Sequence, residues 1–298
     1  MKWSLWVTLL PAVFCTIGTI FNSFVMSIYL KDWCRKKGLK VCDQILLSMA
    51  FTSTSLQWVV TLSPIVFYME SHMVVPREVF FCLFVIDFFL IEATFWQLAI
   101  LSTYYCVKLF DFTFSFFRWV KRLISGYTTQ LLLISAAICL AINVPFVWAL
   151  QLNNPENGTK DTRGAGYIPT INIYYSVFHI MCGCCLPFAI TFTCIVLSVG
   201  SLMRHVWRIR SNALQFSSSP QLVGHIQAAA IMVLCVVLDL SFFLTVTGLL
   251  ATSFQSAGIR DSIFWAVFIS YPTTRSMVVI IGNPQLRRRM VEMCASSS

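Results

Sequence analysis

The sequence predicts an all-α membrane protein: a bundle of seven transmembrane helices, with the N-terminus outside and the C-terminus in the cytoplasm. Three observations carry that prediction. The chain is 58% hydrophobic and 11% charged, with a mean hydropathy of +0.77, whereas a soluble domain carries roughly 25% charged residues. Several of its apolar stretches exceed the ~20 residues that a helix needs to cross a bilayer. Its basic residues are concentrated in alternate connections.

Most of the spans follow from runs without formal charge. Trp3–Leu30 has none, nor have Gln44–Met69, Ser125–Gln151, Ile173–Met203 and Ile226–Leu238. In lipid the backbone must satisfy its own N–H and C=O groups, so such runs are helical. Seven helices are predicted, at roughly 5–30, 44–69, 79–107, 126–150, 172–204, 225–252 and 262–282, forming one domain over 1–298. The first is too long for the apolar region of a secretory signal, and a basic loop follows it directly, as in an uncleaved signal-anchor. In the fifth, Pro187 removes a helix hydrogen bond and favours a kink about which the helix can pivot.

Orientation follows from the basic residues. Lys31, Arg35, Lys36, Lys37 and Lys40 fill the first connection, and Lys108, Arg118, Lys121 and Arg122 the third. Arg204, Arg208 and Arg210 lie in the fifth, and Arg287, Arg288 and Arg289 in the tail. Fifteen of the 21 Lys and Arg thus fall on one side, which the positive-inside rule makes cytoplasmic. Attraction to anionic inner-leaflet lipid accounts for the net charge of +9, and no nucleic acid is needed to explain it. Trp33 and Trp207 serve as anchors at the inner interface. The sequon Asn157-Gly158-Thr159 falls in the 151–171 connection, on the outer side, and makes Asn157 the expected glycosylation site.

Most of the twelve Cys lie within predicted helices, where the thiol acts as a small apolar group. Cys34, Cys42 and Cys294 face the reducing cytosol, and Cys294 is a position for acylation. The four His are scattered, H-E-x-x-H is missing, and neither an enzyme, a metal site nor a cofactor is expected.

The third span holds two acids in the stretch VIDFFLIEATFW, Val85–Trp96. Asp87 and Glu92 are five positions apart and point about 140° away from each other, while Glu92 shares a face with Trp96. Intramembrane ionisable groups are functional candidates. Asp87 admits two readings. It is a tolerated carboxyl, protonated or bound to a neighbouring hydroxyl, or an anionic anchor facing a wet outward cavity. Glu92 points to the helix flank, with no partner to name.

Four stretches and one His resemble one family. NSFVMSIYLKDWCRKKGLKVCDQIL (Asn22–Leu46) is similar to the end of helix 1, first inner loop and start of helix 2 of type 2 taste receptors, with their N-x-F-I, D-W, basic cluster and D-x-I-L. FWQLAILSTYYCVKLFDF (Phe95–Phe112) resembles the helix 3 pattern, and LPFAITFTCIVLSVGSLMRH (Leu186–His205) the helix 5 pattern closing on S-L-x-x-H. His225 stands where helix 6 begins with His, and YPTTRSMVVIIGNPQLRRR (Tyr271–Arg289) resembles the end of helix 7. The resemblance covers nearly the whole chain.

It implies a G-protein-coupled receptor of the plasma membrane. Such a receptor takes small bitter compounds from outside and activates a heterotrimeric, gustducin-like G protein. The disulfide usual in rhodopsin-like receptors is absent, because the 151–171 loop has no Cys. By position the ligand cavity includes Asp87, nine residues before the motif Trp96, with Ile91, Phe243, Trp265 and Phe268. Tyr105, Lys108, Arg204 and His205 fall near the G-protein cavity. Three departures stand out. Ser53 replaces the Arg that ends the helix 2 motif, Arg275 replaces a His in helix 7, and Asp239 stands where helix 6 usually has an aromatic. These predict a polar core of Glu92, Asp239 and Arg275, rewired around an Asp239–Arg275 ion pair. The nearest alternative is the vomeronasal pheromone class of receptor, which the D-W, D-x-I-L and S-L-x-x-H motifs disfavour. A secondary transporter would show paired internal repeats, which are not seen.

Overall fold

The computed structural model describes residues 2–36, 38–70, 77–109, 115–145, 148, 150–153, 168–171, 173–212, 220–251 and 259–296. The helices are α1 (Lys2–Lys36), α2 (Val41–Glu70), α3 (Arg77–Leu109) and α4 (Ser115–Asn143). The fifth span is α5 (Ile173–His179), a π turn (Ile180–Cys185) and α6 (Leu186–Asn212). Then come α7 (Pro220–Ala251), α8 (Ile259–Gly282) and α9 (Pro284–Ser296). Among the described residues, five stretches are long and apolar enough to cross a membrane, and Val233–Gly248 of α7 is apolar but shorter. Large apolar side chains stand exposed around the bundle, including Ile20, Phe51, Leu133 and Val237. Lipid, not water, is the solvent that such a surface suits.

The helices close into a ring. α1 packs on α2 and α8, α7 lies between α6 and α8, and α3 lies against α2, α4 and α6. Accordingly 67% of an 18-residue apolar stretch within Phe81–Lys108 is buried, against 28% of Gly126–Asn143, which makes α3 the central post. The core has two apolar layers. One contains Leu56, Phe88, Ile91, Phe95, Phe242 and Phe268. The other contains Tyr29, Ile45, Met49, Leu101, Ile280 and Leu286. Buried polar groups hydrogen-bond across the helix interfaces. Gln97 Nε2 donates to Ser48 and Thr52 at 2.8 Å each, and Gln57 Nε2 donates to Thr273 Oγ1 at 2.7 Å.

Three elements differ from the sequence reading. The fourth helix, expected at 126–150, ends at Asn143, and Trp148 N–H instead turns back to Pro145 O. Pro145 disfavours helical backbone in the residue before it. Toward its start, α4 breaks at Tyr127 (φ −128°, ψ 30°), so an additional segment precedes the apolar span. The chain is not wholly helical either: β1 (Leu150–Asn153) pairs antiparallel with β2 (Ile168–Ile171), Leu150 opposite Ile171. The expected glycosylation site, Asn157, lies between these strands and outside the described residues.

The tail, finally, folds into α9. Gly282-Asn283-Pro284 is a stop–cap–start signal. The Asn283 side chain accepts from the Gln285 and Leu286 N–H groups at 3.0 and 3.4 Å, and proline suits the first helical position. Arg289 pairs with Asp32 of the D-W motif at 3.0 Å, and Asn283 Nδ2 donates to Tyr29 at 3.0 Å. These bonds tie α9 to the end of α1.

Candidate functional site

The fold places the candidate residues at three depths. Nearest the end where α1 begins is Asp87. Its Oδ2 accepts from Ser63 Oγ of α2 at 3.0 Å, whereas the buried Oδ1 has no donor among the described residues. Both the tolerated carboxyl and the anionic anchor therefore have a structural basis on the same side chain.

One turn deeper on the same face, Ile91 is buried in a cluster with Phe268, and Phe243 and Trp265 pack against it. The rings make a continuous chain. Trp265 meets Phe268 edge-on at 5.7 Å, Phe268 stacks on Phe242 at 5.7 Å, and Phe242 on Phe95 at 5.6 Å. Phe95 meets Phe243 edge-on at 6.4 Å, and Phe243 stacks on Phe188 at 5.3 Å. Offset and edge-on pairs are the favoured aromatic geometries. This ladder joins α8, α7, α3 and α6, so a displaced ring on one helix is felt on the others.

At the middle depth the expected ion pair is absent. Asp239 Oδ1 instead accepts from Tyr271 Oη at 2.6 Å, and its Oδ2 has no donor among the described residues. Arg275 approaches the face of the same ring, its guanidinium carbon 5.9 Å from the Tyr271 centroid, and Nη2 reaches Thr94 O at 3.4 Å. Tyr271 thus contacts both acid and base, and it stacks on Phe242 at 3.8 Å, which links the polar centre to the aromatic ladder. Tyr271 escaped the sequence reading. Its position beside Pro272, one turn from Arg275, was the available signal.

Glu92, without an expected partner, has two. It is fully buried, and Asn143 Nδ2 of α4 donates to its Oε2 at 2.6 Å. His179 Nε2 lies 3.1 Å from Glu92 Oε1 and 3.1 Å from Asn143 Oδ1. The carboxylate is packed against the π turn, where Gly183 has no side chain to obstruct it: a Cβ there would come within 2.0 Å of Oε1. Glu92 therefore fastens α3 to α4 and to the fifth span. Among the described residues Glu92 makes no hydrogen bond or ion pair with Asp239 or Arg275.

At the opposite end is a cavity of about 170 Å³, bordered by Leu46, Tyr105, Ser198, Cys235, Val279 and Asn283 among others. Tyr105 Oη is 3.2 Å from Cys42 Sγ, and Lys108 Nζ sits 5.8 Å over the Tyr104 ring. Of the expected G-protein-facing residues, Tyr105 borders this cavity, whereas Lys108 and Arg204 are exposed beyond it. The side chain of His205 lies outside the described residues.

Known proteins agree with this architecture. The family described as Taste receptor protein (TAS2R) matches residues 2–298. The chain is 28% identical to Taste receptor type 2 member 4 of Mus musculus, over 97% of each chain. It is 26% identical to member 40 of Gallus gallus, over 91% of this chain and 88% of that one. Against member 39 of Homo sapiens it is 25% identical, over 95% of this chain and 85% of that one. A match over essentially the whole length, on a bundle of apolar helices, makes this multi-pass membrane protein a member of the taste receptor type 2 (TAS2R) family.

Proposed function

We propose that the chain is a plasma-membrane bitter taste receptor. Small apolar or amine-bearing compounds enter from the side where α1 begins, which is the extracellular side. A gustducin-like heterotrimeric G protein engages the opposite, cytoplasmic end. Family membership supports the receptor class. The observation that carries the amine preference is the buried Asp87 Oδ1, an acceptor with no donor among the described residues, on the face of α3 that also carries Ile91. A protonated amine would supply that donor. Charge-assisted hydrogen bonds are roughly twice as strong as neutral ones.

The mechanism is population shift: a ligand that binds the active arrangement better stabilises it. The aromatic ladder supplies the route, from Trp265 and Phe268 through Phe242 to Tyr271 and the Asp239 and Arg275 groups that contact it. Tyr105, Lys108, Arg204 and His205 are then the contacts offered to the G protein, and Asn157 carries the glycan. The test is a calcium readout in cells with a promiscuous G protein, comparing wild type with Asp87→Asn. Loss of a charge-assisted bond, about 1.5–3 kcal/mol, raises the EC50 of amine agonists roughly 10- to 150-fold and leaves neutral agonists unchanged. An equal loss for both classes makes Asp87 structural.

A further inference from the structure

The contacts of Asp32 bring two basic stretches to one corner of the molecule. Arg289 Nη2 donates to both Asp32 oxygens, at 3.2 and 3.0 Å, and Gln285 Nε2 donates to Oδ2 at 3.5 Å. The last turn of α1 is thereby set against the first turns of α9, although 257 positions separate Asp32 from Arg289. Lys31 and Arg35 both lie to one side of Asp32 around α1, by about 100° and 60°, and both are exposed. On α9, Arg287 and Arg288 are exposed as well, while Leu286 and Met290 pack into the apolar layer beneath. The two carboxylates of the corner are already engaged, Asp32 by Arg289 and Glu292 by Arg288 at 2.8 Å. Lys31, Arg35 and Arg287 pair with no carboxylate among the described residues. Beside Arg288 and Arg289 opens a cleft of about 470 Å³, bordered also by Pro284, Gln285 and Glu292.

Two apolar side chains set the depth of this corner. Trp33, next to Asp32, is 54% exposed, and Val291 of α9 is 61% exposed. Tryptophan concentrates at the headgroup level of a membrane, so the corner lies where lipid phosphates are. We propose that it binds the headgroup of one polyphosphoinositide lipid, held by Lys31 and Arg35 of α1 and by Arg287 and Arg288 of α9. Charge selects the headgroup. A lipid with a single negative charge needs one cation, whereas three cations without carboxylate partners lie here. Arg288 adds a fourth, because its ion pair with Glu292 is exposed and contributes little. A phosphomonoester carries about −1.5 to −2, so two on one inositol ring match about four cations. The attraction spread over the other basic connections is satisfied by any anionic lipid; this corner discriminates by valence. Asn283 caps α9 and also borders the cavity that Tyr105 borders, so a headgroup clamped across α1 and α9 steadies one wall of that cavity. The assignment rests on the reading of this end as cytoplasmic, the side on which such lipids meet a protein.

The test uses the full-length receptor in nanodiscs whose two leaflets have the same composition. Orientation then does not enter, and a failure of the site leaves the receptor reading standing. Bound lipids are counted by native mass spectrometry, with phosphatidylinositol bisphosphate or phosphatidylserine in phosphatidylcholine at equal total lipid charge. One phosphatidylinositol bisphosphate should bind per receptor, roughly 10-fold or more tighter than phosphatidylserine. Arg35→Gln and Arg288→Gln should each weaken it roughly 5-fold, and together roughly 30-fold. Lys31→Gln replaces either variant if one does not fold. Arg118→Gln with Arg122→Gln removes the same charge from the third connection and should change the affinity less than about twofold. A diazirine-bearing headgroup should label peptides from the end of α1 and from α9. Equal binding of phosphatidylserine, a loss no larger in the corner variants than in the third-connection variant, or labelling that misses either helix would each overturn the assignment. So would soluble inositol bisphosphate that binds as tightly as the lipid, since the site would then belong to a free phosphate.

Discussion

Gly183→Ala tests the packing of the fifth span on α3. An alanine Cβ at this position would lie 2.0 Å from Glu92 Oε1, 2.5 Å from its Cδ and 2.8 Å from its Cγ. All three are well inside van der Waals contact, so the whole end of the Glu92 side chain must move. It cannot move freely, because it is fully buried and held by Asn143 at 2.6 Å. Loss of that hydrogen bond costs about 1.5–3 kcal/mol, and overpacking costs about 1–3 kcal/mol. Together these give about 2.5–6 kcal/mol, or roughly 5–24 °C in Tm for a chain of this size. The assay is thermal unfolding of the purified receptor for both single variants and the double. Glu92→Ala removes the obstruction, so Gly183→Ala should then cost nothing and gain the ~0.5–1 kcal/mol by which alanine exceeds glycine in a helix. Glu92→Gln keeps the shape, so the clash should persist. If Gly183→Ala costs the same within ~0.5 kcal/mol in wild-type and Glu92→Ala backgrounds, the two sites do not interact and the reasoning fails.

Other perturbations probe the remaining polar contacts. Tyr271→Phe leaves Asp239 without its one hydrogen bond to a described donor and should lower stability by about 1.5–3 kcal/mol; an unchanged Tm would show that the bond contributes nothing. Arg275→His should reduce surface expression, and Ser53→Arg in that background should restore it, because both positions line one cavity; a double variant no better than the single refutes that relation. A double-mutant cycle on Asp32 and Arg289 should give a coupling of about 1 kcal/mol that weakens as salt is raised, and a coupling indistinguishable from zero at low salt would show that the pair does not fasten α9.

The sequence revealed different parts of this molecule to different degrees. The helices were legible because lipid permits little else: a charge-free run of sufficient length must be helical. Their ends were less so. Pro145 and Gly282-Asn283-Pro284 carried the end of α4 and the start of α9 in local chemistry, and both signals went unused. The π turn left no comparable mark, since Ile180–Cys185 reads as one more apolar run. Within the site, Asp87 and Ile91 share a face by helical spacing alone. The partners of Glu92 were hidden because Asn143 and His179 come from other helices, and their distance depends on how far α4 and the fifth span are rotated about their axes. The Asp239–Arg275 pair failed for a related reason. Depth along two helices sets the level of each charge, but not the neighbour that each side chain engages, and Asp239 engages Tyr271.

The π turn has a consequence for hybrid receptors. Relative to an uninterrupted α-helix it adds one residue to a turn, and one residue corresponds to about 100° of rotation. Everything from Leu186 to Asn212 is therefore dialled round by about that angle. Ile195 and Ser198 face the cavity that Tyr105 borders because of it. A fifth helix transplanted from a receptor without such a turn, or a deletion of one residue within Ile180–Cys185, would keep every residue type of α6 and still present another side to α3 and α7. In this span the unit of exchange is the helix together with its irregular turn.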